Sequence, residues 1–299
     1  MNVQKKFKKL GTHNGKFHAD EVIATAILKE LFEVEIIRTR DINLLNTLDI
    51  VYDVGGGEFD HHGPDKVYRD NENATPYAAS GLIWRKFGSE VIKFKYPNLN
   101  EDEVENLFNY IDRIFIEGVD ALDNGIWIDK TEIPLFHVSN IVEKFNPNWN
   151  SNENEDEAFN KAVDFVSVIL RNSLDHRISV LAAKNNVIKA FNNRPRKEIL
   201  FLETYCPYGY TLKDIDVNNE VLYVIYPKGP NFAIQSVRNE DNEDKKKLPL
   251  PWAGLTDEKL SEVTGVPGCV FCHTGRFIAV ANSLDGIMAL AKLAIDNEA

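Results

Sequence analysis

The chain has 299 residues, of which 43% are hydrophobic and 27% charged, and its formal net charge is −12 at pH 7. This composition is close to the average of soluble globular proteins and excludes a disordered chain. The negative charge argues against a protein that covers duplex nucleic acid with a broad basic face. A cleft with two divalent cations stays compatible with nucleic acid, because the cations would carry about four positive charges.

No apolar run approaches the roughly 18 residues that cross a bilayer, and residues 1–15 contain no hydrophobic signal segment. We therefore expect a cytoplasmic protein with no membrane partner. The three cysteines, Cys206, Cys269 and Cys272, are expected to be reduced thiols. The run Cys269–His273 has the letters of a c-type haem attachment site, but it has the pattern of a buried strand and no export signal precedes it. We expect no haem.

The length exceeds the usual size of one domain, about 100–200 residues, so two domains or one large one are expected. Strands are predicted at Phe7–Thr12, Glu33–Arg38 and Leu48–Asp53, and a helix from about Ala19 to Phe32 follows the first strand. Strands that alternate with helices indicate an α/β fold, a parallel sheet with helices on both faces.

Two further helices are predicted at Thr75–Phe87 and Glu101–Glu117, with Asn100 as the N-cap of the second. The asparagine-rich segment Asn146–Asp156 is typical of a loop. We place the end of the first domain there, so that it covers residues 1–150.

Residues 151–195 are predicted to be a helical connector, because Ala158–Phe191 has the spacing of one long helix or two in tandem. Residues 196–299 are predicted to form a smaller α+β domain that ends in a helix at about Leu284–Ile295. Its expected strands are Glu198–Thr204, Glu220–Tyr226, Phe232–Val237 and Cys269–His273.

Three clusters of metal-competent side chains lie where predicted elements end. The first is the polar loop between the first strand and the first helix, which contains His13, His18 and Asp20. Ligands in open α/β sheets bind at the carboxyl ends of strands. Three ligand-type side chains in one strand-to-helix turn therefore indicate metal binding.

The second cluster is DVGGGEFDHHG, from Asp53 to Gly63. Asp53 follows an apolar strand, and its two carboxylate oxygens suit a bridge between two cations. Consecutive His61 and His62 cannot face the same way in extended backbone. One of them is expected to bind metal and the other to face the substrate, while Asp60 orients the ligating histidine.

The third cluster is DALDNG, from Asp120 to Gly125. Asp120 directly follows the predicted helix, whereas Asp123 begins a good turn signal. Both aspartates stay open as the metal ligand, and Asp120 is favoured.

These clusters follow one another in the order of the motifs of the DHH phosphoesterase superfamily, which includes RecJ-type exonucleases and manganese-dependent inorganic pyrophosphatases. More closely, the segments GTHNGKFHADE, DVGGGEFDHHG, VDALDNGI, FLETYCPY and LPLPWAGL resemble the melanocyte-proliferating-gene family of DHH-type, metal-dependent proteins. The resemblance covers nearly the whole chain. It implies a DHH-type parallel-sheet domain followed by a smaller α+β domain.

The resemblance also implies a set of ligands for two divalent cations. His13, His18 and Asp53 would hold one cation, while Asp20, Asp53, His61 and Asp120 would hold the other, and His62 would contact phosphate. His18 stands where the superfamily usually has an aspartate. Mixed imidazole and carboxylate ligands suit Mn²⁺ better than Mg²⁺, and Zn²⁺ is also compatible.

The second domain of the superfamily grips phosphate or nucleotide. The corresponding candidates in this chain are Arg276, His273, Arg238 and Lys247. Arg276 is favoured, because Gly275-Arg276-Phe277 has the pattern of a turn between two β-like runs.

The leading hypothesis is an exonuclease that cleaves phosphodiester bonds of RNA or short oligonucleotides with a metal-activated water. One alternative is a phosphatase for a small substrate, pyrophosphate or a dinucleotide. Another is a metal-stabilised binding protein without turnover. A homo-oligomer is compatible with the sequence.

Overall fold

The computed structural model describes residues 7–126 and 133–297. The chain divides into two compact units, Met1–Ile178 and Ser179–Ala299. The boundary lies inside one long helix, α7 (Glu155–Asn192). The division into three segments at residues 150 and 195 stays a prediction.

The first unit contains a three-stranded parallel sheet in the order β2-β1-β3. β1 is Lys9–Thr12, β2 is Glu35–Arg38 and β3 is Ile50–Val51. β3 begins later than predicted, because the Asp49 carboxylate accepts the backbone N–H groups of Lys8 and Lys9 at 2.7 and 2.9 Å. The parallel sheet predicted from the sequence is confirmed.

Helix α1 (Ala19–Leu31) is the centre of this unit. The sequence predicts one apolar stripe, but every residue from Ala19 to Leu28 is buried. α1 packs against α3 (Ala79–Lys95). The polar residues in the first turn of α1 are therefore buried together with its apolar ones.

The segment predicted as one helix at Glu101–Glu117 continues further. It consists of α4 (Glu101–Ile111), a π-helical turn (Asp112–Ile116) and α5 (Glu117–Asp123). The predicted N-cap is confirmed, since Asn100 Oδ1 accepts the Glu103 N–H at 2.9 Å. A π turn is wider than an α turn and changes which side chains share a face. The remaining helices of this unit are α2 (Ile42–Leu45) and α6 (Val138–Glu143).

The second unit is a mixed five-stranded sheet in the order β4-β5-β6-β8-β7. β4 and β5 are parallel, and the other neighbours are antiparallel. One cluster of buried apolar residues in this unit contains Leu260 and Leu290, and another contains Val187 and Leu212. The elements are β4 (Ile199–Phe201), α8 (Gly209–Ile215), β5 (Tyr223–Lys228), β6 (Asn231–Ser236), α9 (Asp257–Thr264), β7 (Cys269–Cys272), β8 (Ile278–Ala281) and α10 (Leu284–Asp296).

The fold class predicted from the sequence is confirmed as α/β, with a parallel sheet in the first unit and an α+β arrangement in the second. Helices α8 and α9 were not predicted, and β8 was expected only as a β-like run after the turn at Arg276. The buried strand predicted around Cys269 and Cys272 is confirmed, and burial raises the pKa of the Cys272 thiol to about 11. Within residues 7–126 and 133–297, no helix is both long and apolar enough to cross a membrane.

The aromatic contact between Phe159 of α7 and Phe17 provides a test of the packing in the first unit. The two rings are fully buried and meet edge to face with centroids 5.4 Å apart. We expect Phe159→Ala to lower the free energy of unfolding by about 3–5 kcal/mol. The control is Val168→Ala on the same helix, where the side chain is exposed, with an expected change of about 0.5 kcal/mol or less. Equal effects in chemical denaturation would contradict this packing.

Candidate metal centre

The three clusters predicted from the sequence lie at one place in the first unit. They surround a cavity of about 350 Å³ next to the ends of β1 and β3. The carboxyl ends of parallel strands lie at the same sheet edge, so residues distant in sequence meet there. The cavity is lined by His13, His18, Arg40, Asp53, His61, His62, Lys66, Asp123 and Asn124.

His13 is buried and has two different polar contacts. Its Nδ1 lies 3.1 Å from the Asn14 carbonyl oxygen, which can only accept, so Nδ1 carries a proton. Its Nε2 lies 3.0 Å from Glu21 Oε1 and 3.2 Å from Asp53 Oδ2. Burial alone would lower the pKa of His13, but hydrogen bonds to Asp53 and Glu21 raise it to about 10. Nε2 therefore needs either a second proton or a cation.

Three carboxylates, those of Asp20, Glu21 and Asp53, lie beside His13 and are almost completely buried. Burial and the charges of Asp53 and Glu21 raise the pKa of Asp20 well above its usual range. Asp20 Oδ1 and Glu21 Oε2 have no hydrogen-bond partner within the described part of the chain. Buried charges without partners are costly unless a cation compensates them, so these residues fit a metal site.

Asp53 occupies the centre of the cluster through an uncommon backbone conformation. Its φ angle is 59°, in the left-handed region that aspartate and asparagine tolerate better than most residues. Its N–H donates to the Phe59 carbonyl at 3.0 Å, which fixes the turn after β3. Burial would raise the pKa of Asp53, but hydrogen bonds from His13 and His61 lower it to about 2. Asp53 thus contacts an imidazole on each side, His13 through Oδ2 and His61 through Oδ1.

His61 completes the second side of the cluster. Its Nε2 lies 3.1 Å from Asp53 Oδ1, 3.1 Å from Asp123 Oδ2 and 3.7 Å from Asp20 Oδ2. Burial would lower its pKa, but Asp123 and Asp53 raise it to about 10. One ring nitrogen facing three carboxylates is the arrangement expected around a shared cation.

His62 points toward solvent, and its side chain is 64% exposed. Its Nδ1 lies 2.8 Å from Asp60 Oδ1, which also accepts the His62 N–H. Asp60 was expected to orient His61, but it contacts His62 instead. Its other carboxylate oxygen accepts the Gly56 N–H, and this turn holds the Asp60 side chain beside His62. The His61 side chain is thus buried among carboxylates, whereas the His62 side chain is exposed; the expected roles in binding metal and substrate stay predictions.

The two aspartates of the third cluster have different surroundings. Asp120 is fully buried, and its carboxylate accepts hydrogen bonds from Arg69, from the Ser80 hydroxyl and from the Gly81 N–H. Asp123, the last residue of α5, lies 3.1 Å from His61. No candidate ligand group in the described ranges contains Asp120. The structure brings Asp123 to the cluster, because α5 continues past Asp120, whose carboxylate contacts Arg69.

Arg69 is an important residue that the sequence reasoning missed. Its guanidinium binds Asp112 through two hydrogen bonds of 2.7 Å and Asp120 through one of 2.8 Å. It also lies 4.2 Å from the centroid of the Tyr77 ring. Gly81 leaves room for this network, since a Cβ there would lie 1.9 Å from Asp120 Oδ2. The network holds the loop before α3 against α5, which carries Asp123.

Glu117, one turn before Asp120, holds the same loop from another side. It is buried and accepts hydrogen bonds from Arg113, Asn71, Asn73 and Thr75, at 2.6 to 3.2 Å. Burial alone would raise its pKa, but the hydrogen bonds, above all that from Arg113, lower it to about 2. No sequence motif marked this residue.

The loop that carries His13 and His18 is held by two side chains from outside the motif. Arg38 donates to the Gly15 carbonyl at 2.5 Å, and its guanidinium lies 4.7 Å from the Phe159 ring centroid. Asn146 accepts the Phe17 N–H at 2.9 Å and donates to the Phe17 carbonyl at 2.8 Å. Two further cations missed from the sequence, Arg40 and Lys66, lie on the exposed rim of the cavity.

The predicted substrate contacts in the second unit lie in loops. Arg276 is in the turn between β7 and β8, as expected, with φ 61° and Nη1 3.3 Å from the Leu248 carbonyl oxygen. His273 Nδ1 accepts the Gly275 N–H at 2.9 Å. Arg238 donates to Asn242 at 2.9 Å. Their contact with substrate stays a prediction, as does that of Lys247.

A family model described as an uncharacterised protein family (UPF0160), with the label MYG1 exonuclease, matches residues 9–295. The chain belongs to the MYG1 family. The family resemblance inferred from the motifs is therefore confirmed. The MYG1 protein of Schizosaccharomyces pombe is 35% identical over 96% of this chain and 97% of its own length.

Two mammalian members of the family carry the name MYG1 exonuclease. The human protein is 33% identical over 95% of this chain and 85% of its own length. The bovine protein is 32% identical over 95% and 84%. A solved structure of RecJ with Mg²⁺ from Thermus thermophilus covers 98% of this chain and 50% of its own at 11% identity, with a TM-score of 0.30. A score this low supports no structural conclusion.

Replacement of Arg69 tests the bracing network. Arg69→Met leaves Asp120 buried without its cation, and we expect a loss of about 3–5 kcal/mol in the free energy of unfolding. The control is Lys93→Met, which removes an exposed ion pair with Glu101 and should cost about 1 kcal/mol or less. Denaturant unfolding with equal losses in both variants would contradict the role of Arg69.

The lowered pKa of Glu117 predicts how the free energy of unfolding depends on pH. Because its pKa falls from 4.5 in the unfolded chain to about 2 in the folded one, its ionised form stabilises the fold above pH 4.5. This contribution is lost as pH falls toward 2. Glu117→Gln should therefore cost roughly 1–3 kcal/mol at neutral pH, and the difference should shrink below pH 4.5.

The control for this pH series is Glu101→Gln, whose carboxylate is 83% exposed and should have little effect at any pH. A Glu117→Gln difference in denaturant unfolding that grows as the pH falls would contradict the assignment.

Proposed function

We propose that this chain is a metal-dependent phosphoesterase that acts as an exonuclease on RNA or short oligonucleotides. The observation that carries the proposal is the convergence of buried carboxylates and imidazoles on Asp53, with carboxylate oxygens that have no protein partner in the described ranges. The name exonuclease given to the human and bovine relatives supports the choice of reaction.

The proposed ligands form two groups that share Asp53. His13, His18 and Asp53 hold one divalent cation, and Asp20, Asp53, His61 and Asp123 hold the other. Asp123 takes the place first given to Asp120, because its carboxylate faces His61 at 3.1 Å. Mn²⁺ suits this mixture of nitrogen and oxygen ligands. Bound cations of this kind supply Lewis-acid activation of a water and of the phosphate.

The remaining side chains around the cavity bind and orient the phosphate. Asp60 Oδ1 lies 2.8 Å from His62 Nδ1 and orients the ring, whose Nε2 edge is the proposed contact to a phosphate oxygen. Arg40 and Lys66, at the rim of the same cavity, add positive charge for the phosphodiester backbone. In the second unit, Arg276, His273 and Arg238 are the proposed contacts to more distant parts of the substrate.

A second candidate function is a phosphatase for pyrophosphate or a dinucleotide. The cavity volume of about 350 Å³ favours it, since that is near the lower end for small-ligand sites, about 300–1,000 Å³. The terminal nucleotide of an oligonucleotide would occupy the same volume. Turnover of pyrophosphate, dinucleotide and longer RNA at equal enzyme concentration separates the two functions.

The test uses purified protein, end-labelled RNA oligomers and Mn²⁺. Asp53→Asn keeps a side chain that tolerates the positive φ but removes the charge, and His61→Ala removes a ligand. Each should lower the rate by at least about 100-fold, since loss of supporting residues alone costs about 10–100-fold at metal sites. Removal of metal with EDTA should abolish turnover, and added Mn²⁺ should restore it.

The matched controls are Asp164→Asn and His176→Ala, which change the same residue types at exposed positions of α7. Both should retain the rate of the unaltered protein. An unchanged rate in Asp53→Asn would overturn the assigned site. A chain that binds Mn²⁺ but leaves every phosphoester intact would instead be a metal-stabilised binding protein.

A further inference from the structure

Glu21 is a buried carboxylate at the metal centre to which the ligand groups above give no role. It is the third residue of α1 and is fully buried. A cation held by His13, His18 and Asp53 has only one negative ligand, and it shares that ligand with the other cation. The two imidazoles are neutral when they bind metal. Charge compensation at this position therefore calls for another carboxylate.

The position of Glu21 matches that need. Glu21 Oε1 lies 3.0 Å from His13 Nε2. His13, His18 and Glu21 each offer one ligand atom within 4.8 Å of the others, and Glu21 also forms such a group with Asp20 and Asp53. The ligand atoms of these residues are therefore close enough together for one cation to contact them.

The two contacts of the His13 ring argue against a purely supporting role for Glu21 in the metal-bound protein. Supporting carboxylates accept a hydrogen bond from the ring nitrogen that does not bind metal. That nitrogen is Nδ1, and its proton goes to the Asn14 carbonyl. Nε2 has no proton to donate once it binds metal, so two lone pairs would face each other at 3.0 Å unless a cation lies beside both.

Glu21 also has a structural contact. Its Oε1 accepts the His18 N–H at 2.8 Å, in the manner of an N-terminal capping box. That contact occupies only part of the carboxylate, which has two oxygens and about four lone pairs. Oε2 is buried and has no hydrogen-bond partner among the residues that the structure describes.

We infer that Glu21 is a ligand of the cation that His13 and His18 hold. The inference rests on the proposed function, because it assumes a cation at that position. Glu21 then has two roles: it caps the first turn of α1, and it is a negatively charged ligand of the metal.

Measurements of Mn²⁺ binding to the full chain distinguish the capping role of Glu21 from its role as a ligand. In Glu21→Gln the amide oxygen still accepts the His18 N–H, but the charge is lost. Isothermal titration calorimetry should show two Mn²⁺ per chain for the unaltered protein. For Glu21→Gln we expect one of the two affinities to fall by at least about tenfold.

The chain offers a matched control. Glu103 occupies the same third position of α4 and accepts the Asn100 N–H at 2.9 Å, outside the metal centre. Glu103→Gln should leave both Mn²⁺ affinities unchanged. Glu21→Asp keeps the charge but shortens the side chain, and it should also weaken one site. This second variant carries the test if Glu21→Gln does not fold.

The outcomes distinguish the inference from the function on which it rests. Two Mn²⁺ bound with unchanged affinities by Glu21→Gln or, if that variant does not fold, by Glu21→Asp would overturn the inference and leave Glu21 as a cap, while the proposed function stands. An unaltered protein that binds no Mn²⁺ would overturn both. Loss of one site in Glu21→Gln, with two sites kept in Glu103→Gln, supports the assignment.

Discussion

Mutual repulsion among the carboxylates of Asp20, Glu21 and Asp53 is the constraint on which the first unit depends. Three carboxyl groups lie in a buried volume, where ionising all of them is costly, and the pKa of Asp20 is raised well above its usual range. In the absence of metal, His13 and His61 compensate them as imidazolium ions, each with a pKa raised to about 10. In the proposed metal-bound state, cations replace those protons at the same nitrogens. Metal binding and proton release are then linked.

The surrounding structure holds these side chains against their repulsion. Burial of α1 on all sides fixes the first turn, and the left-handed conformation at Asp53 directs its carboxylate to the centre. Arg69 holds α5 through Asp120, and Arg38 holds the loop at Gly15. These contacts are buried ion pairs or backbone hydrogen bonds. Such contacts fix the positions of the ligand side chains, and a site with two cations requires ligands held to fractions of an ångström.

The convergence of the clusters could be predicted from the sequence, because polar residues at the ends of parallel strands share one edge of a sheet. The choice between Asp120 and Asp123 depended on where the helix ends, and the π-helical turn and its continuation as α5 are not visible in apolar spacing. Glu21 lies within the first motif but was given no role, because an acidic residue in the first turn of a helix is ordinary there. The partner of Asp60 depended on turn geometry, and Arg69 belongs to no motif.

Anomalous scattering from crystals grown with Mn²⁺, with data collected near the manganese absorption edge, tests the central claim most directly. We expect two strong peaks in the first unit, on either side of the Asp53 carboxylate, one next to His13 and the other next to His61. Crystals that contain Mn²⁺ elsewhere, or show no peak within bonding distance of Asp53, would contradict it.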